Sequence, residues 1–547
     1  MPATDRQTRF GTVRGRLAQG ALSWKGIPYA RPPVGDLRWR APLDPQPWSA
    51  PRAAAAFGPA CIQTGRLYGP GRHNRYDRSV GECIGQVCGA EDCLYLNIWA
   101  PAASAPDAGL PVIVFVHGGS NVTGYTADPV YDGAALAVAA DALVVTVGYR
   151  LGIFGFLELP QLKASGAESG NFALLDILKA LEFVNLNIDA FGGDPGNVTL
   201  MGQSAGAVNI LALLASPRLA AAPTQLVHRM LPISGGLALA GDLAPGQLPV
   251  LQPLEHHARQ GRALLDAALA RARQRAAPDA PAAWLRAQDA AFLLRTVQAD
   301  LAPLGLAASG PIPDGIVVPH APLDAIRAGN YLRVPLLAGY TRDEGKLFPA
   351  LLAHPALGGV PGRLLDDGAV FAALHDYRPD EPAQTAIEYW IAPQLLPPDA
   401  PGSGLNARMR ALDALLFHPN RDALLGALHA RQDSLWCYRF DWDELPAPFD
   451  AIYGAAHGFD IPFIFGNFGP SLYAAVSYTD ANRAGRLALG AAMVRSIAAF
   501  ARHGDPNAAR GAGPAWPAWP AMLAFDADRR AAAIGPVAPP GLPGDRA

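Results

Sequence analysis

Apolar, β-branched runs, each closed by a glycine-rich or polar turn, recur along the chain at 111–117 (PVIVFVH), 142–149 (ALVVTVGY), 197–203 (NVTLMGQ), 229–234 (RMLPIS), 334–340 (VPLLAGY) and 435–441 (LWCYRFD). The stretches between them carry helical spacing, which predicts parallel strands joined by crossover helices. The six runs spread over more than 300 residues, so the pattern favours one large, mostly parallel α/β sheet over separate domains. Alanine- and arginine-rich helical stretches near 254–299 and 363–430 are broken by Pro278, Pro281 and Pro303. They read as helical insertions, about 240–310 and 350–430, covering one edge of the sheet. No repeat of solenoid or propeller length is visible, and the Pro/Gly-rich end after about 535 reads as a loose tail.

Composition narrows the function. Half of the 547 residues are hydrophobic and 17% are charged, enough apolar chain for a large core and too little charge for disorder. The net charge of −3 offers no broad basic surface for nucleic acid or anionic lipid, which leaves a small molecule as the expected partner. The first residues, MPATDRQTRFGTV, hold no apolar stretch of signal-peptide length, and no run reaches the roughly 20 apolar residues of a membrane span. The chain as given is therefore expected to be soluble, cytoplasmic, or exported if a leader has been removed, and a monomer or weak homo-oligomer.

The first candidate chemistry is at NVTLMGQSAGAVNILALLAS, a strand, a turn at GQSAG and a helix from about Ala205. Gly202 and Gly206 allow a sharp turn that lifts Ser204 above the strand end, and the helix start directs free N–H groups, Ala205 first, at a developing anion. Alone, G-x-S-x-G is only a tight strand-to-helix turn. The strand PVIVFV running directly into HGGS adds a second element, in which Gly118 permits the turn and Gly119 and Ser120 offer N–H groups to an oxyanion. Downstream, Asp343 and Glu344 follow one strand in TRDEGKLF, and His457 lies among small residues in YGAAHGFDIPFIFG. The order Ser, acid, His is that of an α/β-hydrolase triad. His418, His429 and His503 occupy the same part of the chain, and His503 reads as an ordinary helix end.

Taken together these motifs resemble the type-B carboxylesterase family of para-nitrobenzyl esterases, animal carboxylesterases and cholinesterases. The ordered match runs through WKGIPYARPPVGDLRWRAP (24–42), FGPACIQ (57–63), EDCLYLNIWAP (91–101), VHGGS (116–120), GYRLGIFGFL (148–157), FGGDPGNVTLMGQSAG (191–206), YTRDEGKLF (340–348), AAHGFDIPFIFG (455–466), FARHGDPN (500–507) and WPAW (516–519). The resemblance implies an α/β-hydrolase fold, with Ser204 as nucleophile, Glu344 rather than Asp343 as triad acid and His457 as base. It also implies an oxyanion hole from Gly119, Ser120 and Ala205, shaped by Gly118, and needs no metal or organic cofactor. The abundance of alanine, and of arginine over lysine, fits a GC-rich bacterial genome. An amide, carbamate or thioester hydrolase with the same triad, and a non-catalytic adhesion protein on the same fold, are the rival readings.

Two departures from the family bear on substrate: Gln203 stands where many members have Glu, and Ser120 with Asn121 replaces a small residue followed by an aromatic. Among the cysteines, Cys61 and Cys93 match the pair that closes a disulfide loop in the family. Cys83 with Cys88 is a candidate second bridge, and Cys437, within a strand, reads as a buried thiol. Their spacings are not those of paired zinc knuckles. The loop between Cys61 and Cys93 lacks the Trp that would hold a quaternary ammonium, having Tyr68 and Tyr76 as its aromatics. Its middle carries Arg66, Arg72, Arg75 and Arg78 against Asp77. Small to medium esters, neutral or anionic, are the expected substrates.

Overall fold

Eleven strands form one sheet in the computed structural model, which describes the chain except residues 1–3, 106, 164–167, 275–278, 355–356, 358, 383, 509–513 and 539–547. They are β1 (Arg16–Ala18), β2 (Ala21–Pro28), β3 (Tyr95–Pro101), β4 (Leu110–Val116), β5 (Leu143–Val147), β6 (Gly193–Gln203), β7 (Arg229–Ile233), β8 (Leu336–Thr341), β9 (Leu435–Phe440), β10 (Met522–Ala527) and β11 (Ala532–Val537). Their spatial order is β1-β2-β3-β5-β4-β6-β7-β8-β9-β10-β11. From β5 to β10 all neighbours run parallel; β1, β2 and β3 at one edge and β11 at the other pair antiparallel.

The six apolar runs are the six central parallel strands β4 to β9, each within a few residues of the expected bounds. Strands covered on both faces need apolar residues at both parities. In β4, Val112, Val114 and Val116 enter the core beneath α1 (Phe172–Asn187) and α2 (Ala205–Leu214). Ile113 and Phe115 enter the opposite core with Ala134–Ala140 and α3 (Arg483–His503). The remaining strands escaped the pattern because β2, β3 and β10 mix their apolar residues with Trp, Pro and polar positions, and the two edge strands β1 and β11 are largely exposed. The expectation of a loose tail from 535 is corrected in part: Gly535, Pro536 and Val537 belong to β11, paired with β10. Proline is tolerated there because an edge strand needs no partner for every N–H. The remainder of that tail, 539–547, lies outside the described residues, as does Pro278.

Helices fill both expected insertions, Leu254–Arg271, Pro281–Arg286 and Ala290–Thr296 in the first and Asp367–His375, Leu405–Leu412 and His418–His429 in the second. Among the described residues one helix, α3, is long and apolar enough to cross a membrane by length and composition. In the fold it lies on the sheet, burying Leu489, Met493, Ile497 and Phe500.

Phe115 is 1% exposed and sits between Tyr131 and Phe465, with ring centroids 4.9 and 5.0 Å away. Phe115→Ala is expected to destabilise the protein by about 3–5 kcal/mol, whereas Leu17→Ala, at an edge position 62% exposed, should change stability by less than about 0.5 kcal/mol. Denaturant unfolding followed by tryptophan fluorescence measures both, and equal effects would contradict this placement of the core.

Candidate active site

Strand β6 ends at Gln203, and α2 starts at Ala205, so the whole reversal falls on Ser204. Its backbone takes φ 54° and ψ −124°, a conformation costly for a residue with a side chain. Neighbouring backbones hold it there: Ser204 N–H donates to Ile233 O at 2.8 Å, and Val208 N–H donates to Ser204 O at 3.0 Å. A Cβ on Gly206 would lie 2.1 Å from Val116 O, and one on Gly202 would lie 2.6 Å from Gly206 O. Both glycines are therefore required by the close approach of β4, β6 and α2.

The loop after β4 faces this turn, since a Cβ on Gly118 would come within 2.9 Å of Ser204 Cβ. Gly119, Ser120 and Asn121 all adopt positive φ. Among the described residues, no backbone carbonyl takes the N–H of Gly119, Ser120 or Ala205, which leaves these donors free for an incoming anion. Three contacts fix the loop. His117 Nδ1–H donates to Gly118 O at 2.8 Å, and Tyr149 OH donates to His117 O at 2.7 Å. The third is an amide pair: Asn209 Nδ2 donates to Asn121 Oδ1 at 2.8 Å and Asn121 Nδ2 to Asn209 Oδ1 at 3.2 Å. Asn121, which looked only like a change in the pocket wall, ties the loop to α2.

Glu344 follows β8 and is 1% exposed; His457, on the loop after β9, is 5% exposed. Their side chains meet, with His457 Nδ1 2.5 Å from Glu344 Oε2. Glu344 Oε1 accepts Ser234 Oγ–H at 2.6 Å and Thr341 N–H at 2.9 Å. Asp343 points elsewhere: its Oδ2 accepts from the Arg342 guanidinium at 2.9 Å and from Ala455 N–H at 3.1 Å, pinning the two loops together. The ring of His457 lies against Phe348 and Phe417, with centroids 5.0 and 5.8 Å away. Its Nε2 is 3.0 Å from Gln203 Nε2. Among the alternative histidines, burial drives His418 down to about 4 even though the charge of Glu344 is felt there.

Sequence reasoning missed Ser234, Asp413, Asp460 and Tyr438. Ser234, directly after β7 with φ 54°, was visible only as a polar residue ending an apolar strand. Asp413 is buried, and its Oδ1 accepts Gly345 N–H at 2.7 Å. Burial, then the charge of Glu344, pushes its carboxyl up to about 8. Asp460 accepts Tyr438 OH at 2.7 Å and is raised to about 7, mainly by burial.

Ser204, His457, Gln203 and residues 118–120 all border one cavity of about 370 Å³, walled largely by Tyr68, Phe348, Leu351 and Tyr473. Its charged wall residues are Arg66, Arg363, Asp128 and Asp367. Arg363 bonds Asp367 at 2.7 Å, and burial lifts Asp128 to about 6. The expected arginine field is weaker than the sequence suggested, because Arg72 pairs with Glu82 and Arg78 with Asp376 on the outer surface. Neither the expected Cys61–Cys93 disulfide nor the candidate Cys83–Cys88 bridge is closed in this structure, where all five cysteines are free thiols. Cys61 Sγ accepts Leu151 N–H at 3.1 Å. Burial, then the adjacent Cys61, holds the Cys93 thiol well above its ordinary range, and burial lifts Cys88 to about 12. Among the described residues, no cluster of three His, Cys, Asp or Glu side chains suited to a metal is present.

Comparison with known proteins places the fold in a family. The carboxylesterase family profile matches residues 2–532. The para-nitrobenzyl esterase of Bacillus subtilis (strain 168) is 33% identical over 473 residues, 84% of this chain and 82% of that protein. The fumonisin B1 esterase of Sphingopyxis macrogoltabida is 32% identical over 514 residues, covering 92% and 83%. Among solved structures, a PNB esterase superimposes with a TM-score of 0.72 at 30% identity, covering 98% of this chain and 97% of its own. A carboxylesterase from Geobacillus stearothermophilus does so with 0.71 at 31%, covering 97% and 98%. The chain belongs to the carboxylesterase family, has its α/β-hydrolase fold, and is a serine hydrolase of carboxylic esters.

The buried acids make stability pH-dependent with a definite sign. A carboxyl raised above its unfolded value keeps its proton in the folded state where the unfolded chain has lost it. Its contribution is full below the unfolded value of 3.8 and is lost as pH rises through the folded value. For Asp128, Asp460 and Asp413 the losses end at about 6, about 7 and about 8. The melting temperature should fall between about pH 5 and about pH 8.5, and Asp413→Asn, which keeps the acceptor for Gly345, should flatten the upper part of that fall. Thermal melts across this range test it, and an unchanged slope in the variant would exclude Asp413 as the source.

Proposed function

We propose that this carboxylesterase acts on small to medium, predominantly neutral esters through an acyl-enzyme, with Ser204 as nucleophile, His457 as general base and Glu344 as the acid that orients it. The observation that carries the reading is the bond of Glu344 to His457 Nδ1, made at the wall of the cavity that Ser204 enters from the elbow. A carboxylate on Nδ1 keeps the hydrogen there, so the proton acceptor of the ring is Nε2. As Ser204 Oγ attacks the ester carbonyl, its proton passes to His457 Nε2, and the N–H groups of Gly119, Ser120 and Ala205 hold the oxyanion. His457 then gives that proton to the departing alcohol. Water, deprotonated by the same nitrogen, releases the acid and restores Ser204. One sheet running from residue 16 to 537 supports treating the chain as a single catalytic domain.

The wall supports neutral substrates, because its two arginines are matched by two aspartates and Gln203 adds no charge beside the nucleophile. The sequence-based argument for anionic esters thereby narrows to Arg66 at the rim.

Ser204→Ala should fold and lose activity by on the order of 10³-fold or more, and a phosphonylating reagent should label Ser204 alone, as read by peptide mass spectrometry. Glu344→Gln should cost more than Asp343→Asn. A label elsewhere, or the opposite ranking of the carboxylates, would overturn the assignments.

For matched neutral, cationic and anionic esters, kcat/KM should be highest for the neutral one, with little dependence on salt. A cationic ester turned over fastest, or an anionic one strongly weakened by salt, would show that a wall charge dominates.

A further inference from the structure

The atom of His457 that must accept the serine proton is already occupied. Nδ1 faces the Glu344 carboxylate, which can only accept, so Nδ1 carries the hydrogen and Nε2 presents a lone pair. The group against that lone pair at 3.0 Å is the side-chain amide of Gln203, and a lone pair can be met only by its N–H. Among the described residues, Ser204 Oγ makes no hydrogen bond to His457.

The amide has little freedom to be elsewhere. It is 6% exposed. A Cβ on Gly118 would lie 2.5 Å from its Oε1, and one on Gly458 would lie 3.3 Å from its Nε2. The carboxamide is thus slotted between two glycines that border the cavity, with its oxygen towards the oxyanion loop and its nitrogen towards the base.

We propose that Gln203 is a positioning residue that holds His457 as a neutral imidazole, its amide N–H capping Nε2 in the free enzyme until the bound ester brings Ser204 Oγ–H to the same lone pair. This rests on the reading of His457 as the base. The physical content is that a hydrogen bond to the neutral form favours that form over the cation. A carboxylate at the same place would do the opposite, accepting from the protonated ring and holding it as imidazolium. The other titratable groups near the ring are Glu344 on Nδ1, Asp460 one turn beyond His457, and Asp413, Asp343 and His418 around Glu344. None of these touches Nε2, so substitutions at 203 act on that nitrogen separately.

The test is the acid limb of kcat/KM, which reports ionisation in the free enzyme, measured on the full-length protein with one neutral ester. In Gln203→Met, of similar length with no donor, the limb should move to higher pH by a few tenths of a unit to about one unit, the equivalent of one lost hydrogen bond. In Gln203→Glu it should move up further, by about one unit or more, with kcat at neutral pH reduced and regained in alkali. Labelling of Ser204 by a phosphonate reagent, run on both variants, separates the two layers of the argument. A label that leaves Ser204 defeats the triad reading itself. A label that stays on Ser204 while both acid limbs coincide with the parent, or move to lower pH, leaves the triad standing and overturns the role of Gln203.

Discussion

Everything in this site hangs on a backbone turn that places a side chain where chain geometry alone would not. Ser204 is held at positive φ because β4, β6 and α2 approach so closely that Gly202 and Gly206 have no room for a Cβ. The strain is local, and the apolar contacts that hold it in place are distributed over both faces of the sheet. The same approach brings the loop after β4 against the serine, so Ser204 and the free N–H groups beside it share one constraint. Asn121 and Asn209 add a polar tie between them.

The electrostatics follow from burial. Glu344 lies out of water and receives three donors, from Ser234, Thr341 and His457. Having one fully bonded carboxylate there makes a second costly, and Asp413 and Asp460 are pushed towards their neutral forms. Asp343, one residue from Glu344, avoids the conflict by turning to Arg342 and the backbone of Ala455. Adjacent acids in sequence thereby divide into one that bonds the imidazole and one that joins the loops.

The six parallel strands were legible because strands buried on both faces must be apolar throughout, and the turn chemistry of GQSAG and HGGS is written in consecutive residues. The edge strands β1 and β11 were not, because strands that stay largely exposed need few apolar positions. Gly535 and Pro536 in β11 look like a tail for that reason. The thiols illustrate a different limit: only the family resemblance pairs Cys61 with Cys93, and in the structure both are free thiols, with Cys61 Sγ accepting Leu151 N–H.

By itself the sequence determined the sheet's central strands, the elbow at Ser204, the glycine loop after β4 and the chain order of Ser204, Glu344 and His457 proposed as the triad. Each of these is a short-range property, a few residues choosing a backbone conformation or a buried face. Only the tertiary structure decided which acid meets His457 across 113 positions, which serine supports that acid, and which side chain reaches Nε2. Those contacts depend on the spatial order of the strands, since β6, β7, β8 and β9 lie side by side and bring their C-terminal loops together. Distances between loops of different strands are set by the packing of the whole sheet, and no local pattern in the chain encodes them.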